Sequence, residues 1–232
     1  MSKFTNFSKL TQYTQIRNTM IVTVYSAKGG AGKTPISVNM ALEHDWAIGT
    51  NDTISILSIQ EGINEERLIE IAPHEKFPEI PEDFEIVFDL GGAISESSSA
   101  SILSAVKQSD IVIVPICNDP RSIAGGIITL NELVPFGKRM LVVATKLERT
   151  RLEPKRIPIE QTEGFKTIQE SLKDSGHENI TVLPLRFSRA FENIFKTGVS
   201  IEAMVREGGI KAYSYRDLAK ELEAINNFIN QK

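Results

Sequence analysis

The sequence has one cysteine, Cys117, no long apolar run and no strong excess of either charge. A single cysteine excludes a disulfide framework and cannot alone supply the paired thiolates of a bridging iron–sulfur cluster. No apolar stretch approaches the roughly 20 residues that a spanning helix needs, and no secretory signal pattern opens the chain. These absences lead us to expect a cytoplasmic protein. At 232 residues the chain is most economically one domain, long enough to bury a sizeable core. Its hydrophobic content of 41% and charged content of 24% are ordinary for a globular protein.

The net charge of −4 is unevenly spread. Residues 1–135 hold 9 Lys/Arg against 17 Asp/Glu, whereas residues 136–232 hold 17 against 13. Either the surface is merely solvated and uneven, or the C-terminal half carries a basic face that could meet phosphate backbones. Arg149, Arg151, Lys155 and Arg156 form its densest run.

The stretch with the clearest chemistry is Tyr25-Ser26-Ala27-Lys28-Gly29-Gly30-Ala31-Gly32-Lys33-Thr34. Ile21–Tyr25 reads as a short buried strand and Ser37–Glu43 as a helix, with the glycine-rich loop between them. Glycines let such a backbone turn tightly and bring several N–H groups to one anion. The helix that follows points its positive end at the same place. Lys33 would reach the β- and γ-phosphates, and Thr34 would place its hydroxyl on Mg²⁺. A chance Gly/Lys turn would have no reason to sit between a strand and a helix.

Ala27 stands where the ordinary phosphate loop has its first glycine. The remaining pattern, Lys28-Gly29-Gly30 followed by Gly32-Lys33-Thr34, resembles the deviant Walker A loop of the ParA/MinD family of ATPases. The likeness runs from Met20 to about residue 230, which leaves residues 1–19 as an N-terminal arm and 20–232 as one ATPase domain. The arm spaces Phe4, Phe7, Leu10, Tyr13 and Ile16 by threes, as an amphipathic helix or a disordered tail could. It is too short for the helix-turn-helix domain of larger partition ATPases. The lone cysteine argues against the iron-protein and cluster-carrier relatives of this loop.

The resemblance implies a P-loop NTPase-like α/β fold, a mostly parallel twisted sheet with helices on both faces. It implies ATP and Mg²⁺ as ligands, with Lys28, Gly29, Gly30, Ala31, Gly32, Lys33, Thr34 and Pro35 around the nucleotide. Lys28 and Lys33 are the implied catalytic residues, and Thr34 and Asp89 the implied metal contacts. Asp89 ends Glu85-Ile86-Val87-Phe88-Asp89, which resembles a Walker B strand, and Gly92 follows near the γ-phosphate. In the family a late strand and an Arg- and Phe-containing helix pack on the adenine. Here that segment is Thr181–Arg186, Phe187–Glu192 and the Gly198–Ile201 turn, so Arg186 and Phe187 are implied base contacts. Lys146 is a further candidate beside the base.

Two departures weaken the pattern. Pro35 replaces a second Thr or Ser whose N–H and hydroxyl hold the α-phosphate, so a weaker grip on nucleotide is expected. The family's second strand ends in Asp-x-Asp-Pro, whose first Asp orients the attacking water. The nearest alignment puts Gly49 on that Asp, Asn51 on the second and Asp52 on the Pro. The water-positioning carboxylate is then missing, or Asp52 replaces it, and slow turnover is expected.

The implied function is an ATP-dependent dimerisation switch in plasmid or chromosome partition or cargo positioning. Lys28 would reach the partner's nucleotide, nonspecific DNA would meet the basic C-terminal half, and a partner protein would stimulate hydrolysis near the nucleoid. The alternatives are a hydrolysis-deficient nucleotide-bound scaffold and a metabolic ligase of the dethiobiotin synthetase type. The last helix places Tyr215, Leu218, Leu222, Ile225 and Ile229 on one face. Asp217, Glu221 and Glu223 make it unlike a basic membrane anchor, so packing on the domain is expected and membrane binding is not.

Overall fold

The computed structural model describes residues 19–52, 59, 62–91, 99–154 and 157–231. Nearly all of the N-terminal arm lies outside these residues, as do Gly92, Lys155, Arg156 and the serines at 95–98.

Seven strands form one all-parallel sheet in the order β3-β2-β4-β1-β5-β6-β7. They are β1 Ile21–Tyr25, β2 Ala47–Thr50, β3 Leu68–Glu70, β4 Ile86–Leu90, β5 Ile111–Cys117, β6 Arg139–Leu147 and β7 Thr181–Arg186. The helices are α1 Lys33–His44, α2 Ser99–Gln108, α3 Pro120–Leu133, α4 Glu163–Asp174, α5 Phe191–Thr197, α6 Ile201–Arg206 and α7 Gly209–Asn230.

Strands that are apolar at every position need cover on both faces, and β1 and β4 are buried at every residue. The period-two alternation of a strand then divides the core. Val22, Val24, Ile111, Ile113, Leu141 and Val143 face α1 and the C-terminal helices. Ile21, Tyr25, Val112, Val114, Val142 and Ala144 face α2, α3 and α4. Each fully buried Val, Ile or Leu contributes roughly 1.5–3 kcal/mol. The apolar stripe of α7 joins the first of these layers, with Leu218, Leu222, Ile225 and Ile229 all buried, as expected.

After residue 61 the chain forms a helical turn at Glu65–Arg67 and then the edge strand β3. Two readings change. The late helix begins at Phe191, whereas Phe187 continues from β7 with its N–H on the Leu147 carbonyl at 2.9 Å. The Gly198–Ile201 turn lies away from the phosphate loop. The Ile201 N–H bonds Asn39 Oδ1 at 2.9 Å, and Ser200 Oγ donates to Glu43 at 2.6 Å. Glu43 is near the far end of α1, about 15 Å along the helix from Lys33.

β1 is flanked by β4 on one side and β5 on the other; the chain places β2 and β3 on the β4 side and β5, β6 and β7 on the other. In open α/β sheets, ligands bind at such a switch point, beyond the C-terminal strand ends. The loop of residues 26–32 occupies that place.

A candidate phosphate-binding site at the sheet switch point

The loop is built from two glycines that must be glycine. Gly30 and Gly32 have φ of 76° and 93°, in the left-handed region that other residues rarely enter. Gly32 leads into α1 with no side-chain cap, so the first turn directs its N–H groups into the concavity of the loop. Pro35 is the third helical residue, where a missing N–H costs the helix nothing. Its ring lines a small apolar cavity of about 110 Å³ together with Ile36, Leu185, Phe187 and Phe191.

Neighbouring elements brace the loop, and sequence reading missed them. Thr145 at the end of β6 donates from Oγ1 to the Ala31 carbonyl at 2.7 Å. Cys117 Sγ lies 3.3 Å from the same hydroxyl. Thr129 of α3 accepts from the Ala27 N–H at 3.1 Å. None of these contacts belongs to a local motif; parallel pairing of β5 with β6 puts Cys117 beside Thr145.

Lys33, Thr34 and Asp89 come together at the mouth of the loop. Thr34 Oγ1 donates to Asp89 Oδ2 at 2.7 Å. Ser37, one turn along α1, adds a contact of 3.1 Å to Asp89 Oδ1; its spacing of three from Thr34 could have announced it. Asp89 is 1% exposed, and burial pushes its carboxyl up to about 6, against the opposing pull of the Thr34 hydroxyl and the Lys33 charge. Lys33 is buried too. Burial lowers its pKa, while Asp89 and then Asp52 resist the change. Its Nζ donates to the Lys28 carbonyl at 3.4 Å, across the mouth of the loop. Lys28 itself is half-buried, with its Cβ packed near Gly125 of α3.

At the end of β2, Gly49 lies inside the strand opposite Phe88. A Cβ there would sit 2.7 Å from Phe88 Cδ1 and 3.0 Å from Phe77 Cε1. The acidic residue that does reach the site is Asp52. It lies against Gly91, where an added Cβ would come within 2.7 Å of Asp52 Cβ, and its charge acts on both Lys33 and Asp89.

The remaining candidates are placed as follows. Phe187 is half-exposed on the apolar cavity, and Lys146 lines it with a left-handed backbone at φ 54°. The Arg186 guanidinium is held by Glu221 at 2.6 Å and Asp217 at 3.2 Å, so the part that could meet a base is already engaged by α7. Asp119 Oδ1 caps α3 by accepting from the Ser122 N–H. Arg149 donates to the Ile157 carbonyl and Arg151 is exposed.

Fold and site together define a P-loop NTPase-like α/β protein. No protein-family model matches the chain, and no curated protein matches it. Solved structures do. Apo McdA from Cyanothece superposes with a TM-score of 0.62 at 12% identity, covering 90% of this chain and 98% of that one. The septum site-determining protein MinD from Pyrococcus horikoshii, complexed with Mg-ADP, gives 0.56 at 13%, covering 92% and 100%. A protein from Borrelia burgdorferi assigned to plasmid partition and bound to AMPPNP gives 0.55 at 14%, covering 89% and 99%. Likeness at these identities establishes a shared fold. No helix among the described residues is long and apolar enough to cross a membrane.

Proposed function

We propose that this chain is an ATPase of the ParA/MinD type that works as a nucleotide-dependent dimerisation switch in partition or cargo positioning. The observation that carries the reading is the Lys33–Thr34–Asp89 constellation at the mouth of an uncapped α1, on the fold that McdA and MinD share. The donor set suits a hard cation. Asp89 and Thr34 offer oxygen ligands, and among the described residues no three His, Cys, Asp or Glu side chains form a cage of their own. Magnesium would be held there by Thr34 and Asp89 with nucleotide oxygens, and would supply charge neutralisation across the phosphates.

In this scheme the loop N–H groups hold the phosphates, and Lys33 supplies a buried cation at their far end. Lys28 reaches a second copy's nucleotide. Asp52 is the carboxylate that orients the attacking water, because it stands beside Gly91, Lys33 and Asp89 where Gly49 cannot put a side chain. Arg149 and Arg151 belong to a face for nonspecific DNA, and a partner protein stimulates turnover. The apolar cavity around Pro35 and Phe187 takes the base.

Light scattering of the protein with ADP, then with ATP and Mg²⁺, each with and without nonspecific duplex DNA, tests the proposal. The wild type should double in mass only with ATP, and Lys28→Ala should stay monomeric. A wild type that stays monomeric with saturating bound ATP refutes the switch. Dimerisation without phosphate release would favour the nucleotide-bound scaffold instead.

A further inference from the structure

Beyond β2 the chain passes through Asn51, which is 3% exposed and uses its amide in both directions. Oδ1 accepts from the Gly91 N–H at 2.7 Å, and Nδ2 donates to Ser101 Oγ at 2.7 Å. Ser101, in the first turn of α2, donates in turn to the Pro73 carbonyl at 2.8 Å. The strap of residues 73–80 is tied along the same helix, with Phe77 N–H on Ser104 Oγ at 2.9 Å and Ile80 N–H on Gln108 Oε1 at 2.8 Å. One buried amide therefore joins the exit of β2, the peptide two residues past Asp89, and a helix with its strap.

We propose that Asn51 is a positioning residue for hydrolysis, fixing the Gly91 peptide and with it the Asp52 carboxylate packed on that peptide. The assignment rests on the ATPase reading above. Its chemistry is specific to an amide. Gly91 N–H can only donate, and the Ser101 proton goes to Pro73, so residue 51 must offer one acceptor and one donor. An ionised aspartate, the isosteric acid, has no donor. It would set two acceptors 2.7 Å apart unless Ser101 gave up Pro73. It would also bring a third carboxylate beside Asp52 and Asp89.

The hydrogen bonds of Asn51 run to Gly91 and Ser101 and not to the phosphate loop, and it does not line the apolar cavity, so its loss should spare binding and slow chemistry. Misplacement of a reacting group by about 1 Å costs on the order of 100-fold in rate. The test uses mant-ATP with Mg²⁺, measuring Kd by fluorescence and hydrolysis by single turnover, with urea midpoints for each protein. Asn51→Asp and Asn51→Ala should keep Kd within threefold of wild type and lose about 10- to 100-fold in the hydrolytic step. Ser101→Ala, which removes only the α2 side, should fall between them and wild type. Asn51→Gln, an amide on a longer stem, should not restore the rate.

Unchanged hydrolysis in Asn51→Asp, or losses in Kd and rate that simply follow the urea midpoint, would overturn the assignment. A wild type that binds mant-ATP and never turns it over would overturn it while leaving the binding site intact. A wild type that binds nothing would sink the ATPase reading as well.

Discussion

Restoring an aspartate at position 49 should destroy this fold and leave its chemistry unimproved. Alignment to the family pattern puts the missing water-orienting carboxylate at Gly49, so Gly49→Asp looks like a repair. The structure predicts the opposite. A Cβ at this position would lie 2.7 and 2.9 Å from two Phe88 ring carbons and 3.0 Å from Phe77. The two rings pack against each other at 4.5 Å and are 0% and 4% exposed, so neither can swing into solvent. Overpacking by one methyl costs about 1–3 kcal/mol. Carrying a carboxyl into the same space adds a few kcal/mol more even if it takes up a proton. Whole-domain stabilities are only about 5–15 kcal/mol. With a urea slope of about 2.5 kcal/mol/M, Gly49→Ala should lower the midpoint by about 0.4–1.2 M. Gly49→Asp should be unfolded or shifted well beyond that. Far-UV circular dichroism in urea, with phosphate release measured alongside, reads both quantities. A Gly49→Asp protein with the wild-type midpoint and faster turnover would show that the β2 register is wrong.

Other consequences are open to measurement. Glu202, with Asn39 on one oxygen at 2.8 Å and Asn226 on the other at 3.0 Å, has its carboxyl pushed by burial from 4.5 to about 7. The folded state therefore binds this proton more tightly than the unfolded chain. Its contribution should be fully present below about pH 4.5 and lost as pH rises to 7, by at most about 3 kcal/mol. The difference in stability between wild type and Glu202→Gln should slope accordingly, and parallel curves in urea titrations across that range would contradict it. Pro35→Thr regains an N–H and a hydroxyl for phosphate, worth about 1.5–3 kcal/mol for a charged partner, but gives up a ring on the apolar cavity. Calorimetry should show ATP bound about 10-fold tighter, and unchanged affinity would dispose of the idea. Thr145→Val leaves the Ala31 carbonyl without its 2.7 Å donor. A buried acceptor so stranded costs about 1–3 kcal/mol, so the urea midpoint should fall and mant-ATP binding should weaken several-fold.

The sheet and the glycine-rich loop were legible because each is written locally. Uninterrupted apolar runs such as Ile111–Pro115 demand two-sided cover, and a tight left-handed turn between strand and helix needs Gly30 and Gly32. β3 was not legible: three half-buried or exposed residues on a sheet edge carry no pattern a reader could separate from loop. The braces on the loop escaped for a different reason. Thr145, Thr129 and Ser37 are ordinary residues whose meaning comes from the strand or helix that happens to lie alongside.

Two glycines show what a linear alignment does not convey at β2. A motif match assumes that the carboxylate leaves the strand at a set residue, yet the strand's own period decides which side each residue faces. Gly49 faces the Phe77–Phe88 pair, which leaves no room for a side chain there. Gly91 faces the site, and the space left by its missing Cβ is filled by Asp52. Between them Asn51 faces inward again and ties the second glycine's peptide in place. If Asp52 orients the attacking water, as proposed, the carboxylate stands past the end of the strand, against a glycine notch whose peptide is tied by a side-chain amide, and no spacing rule in the sequence would reveal either.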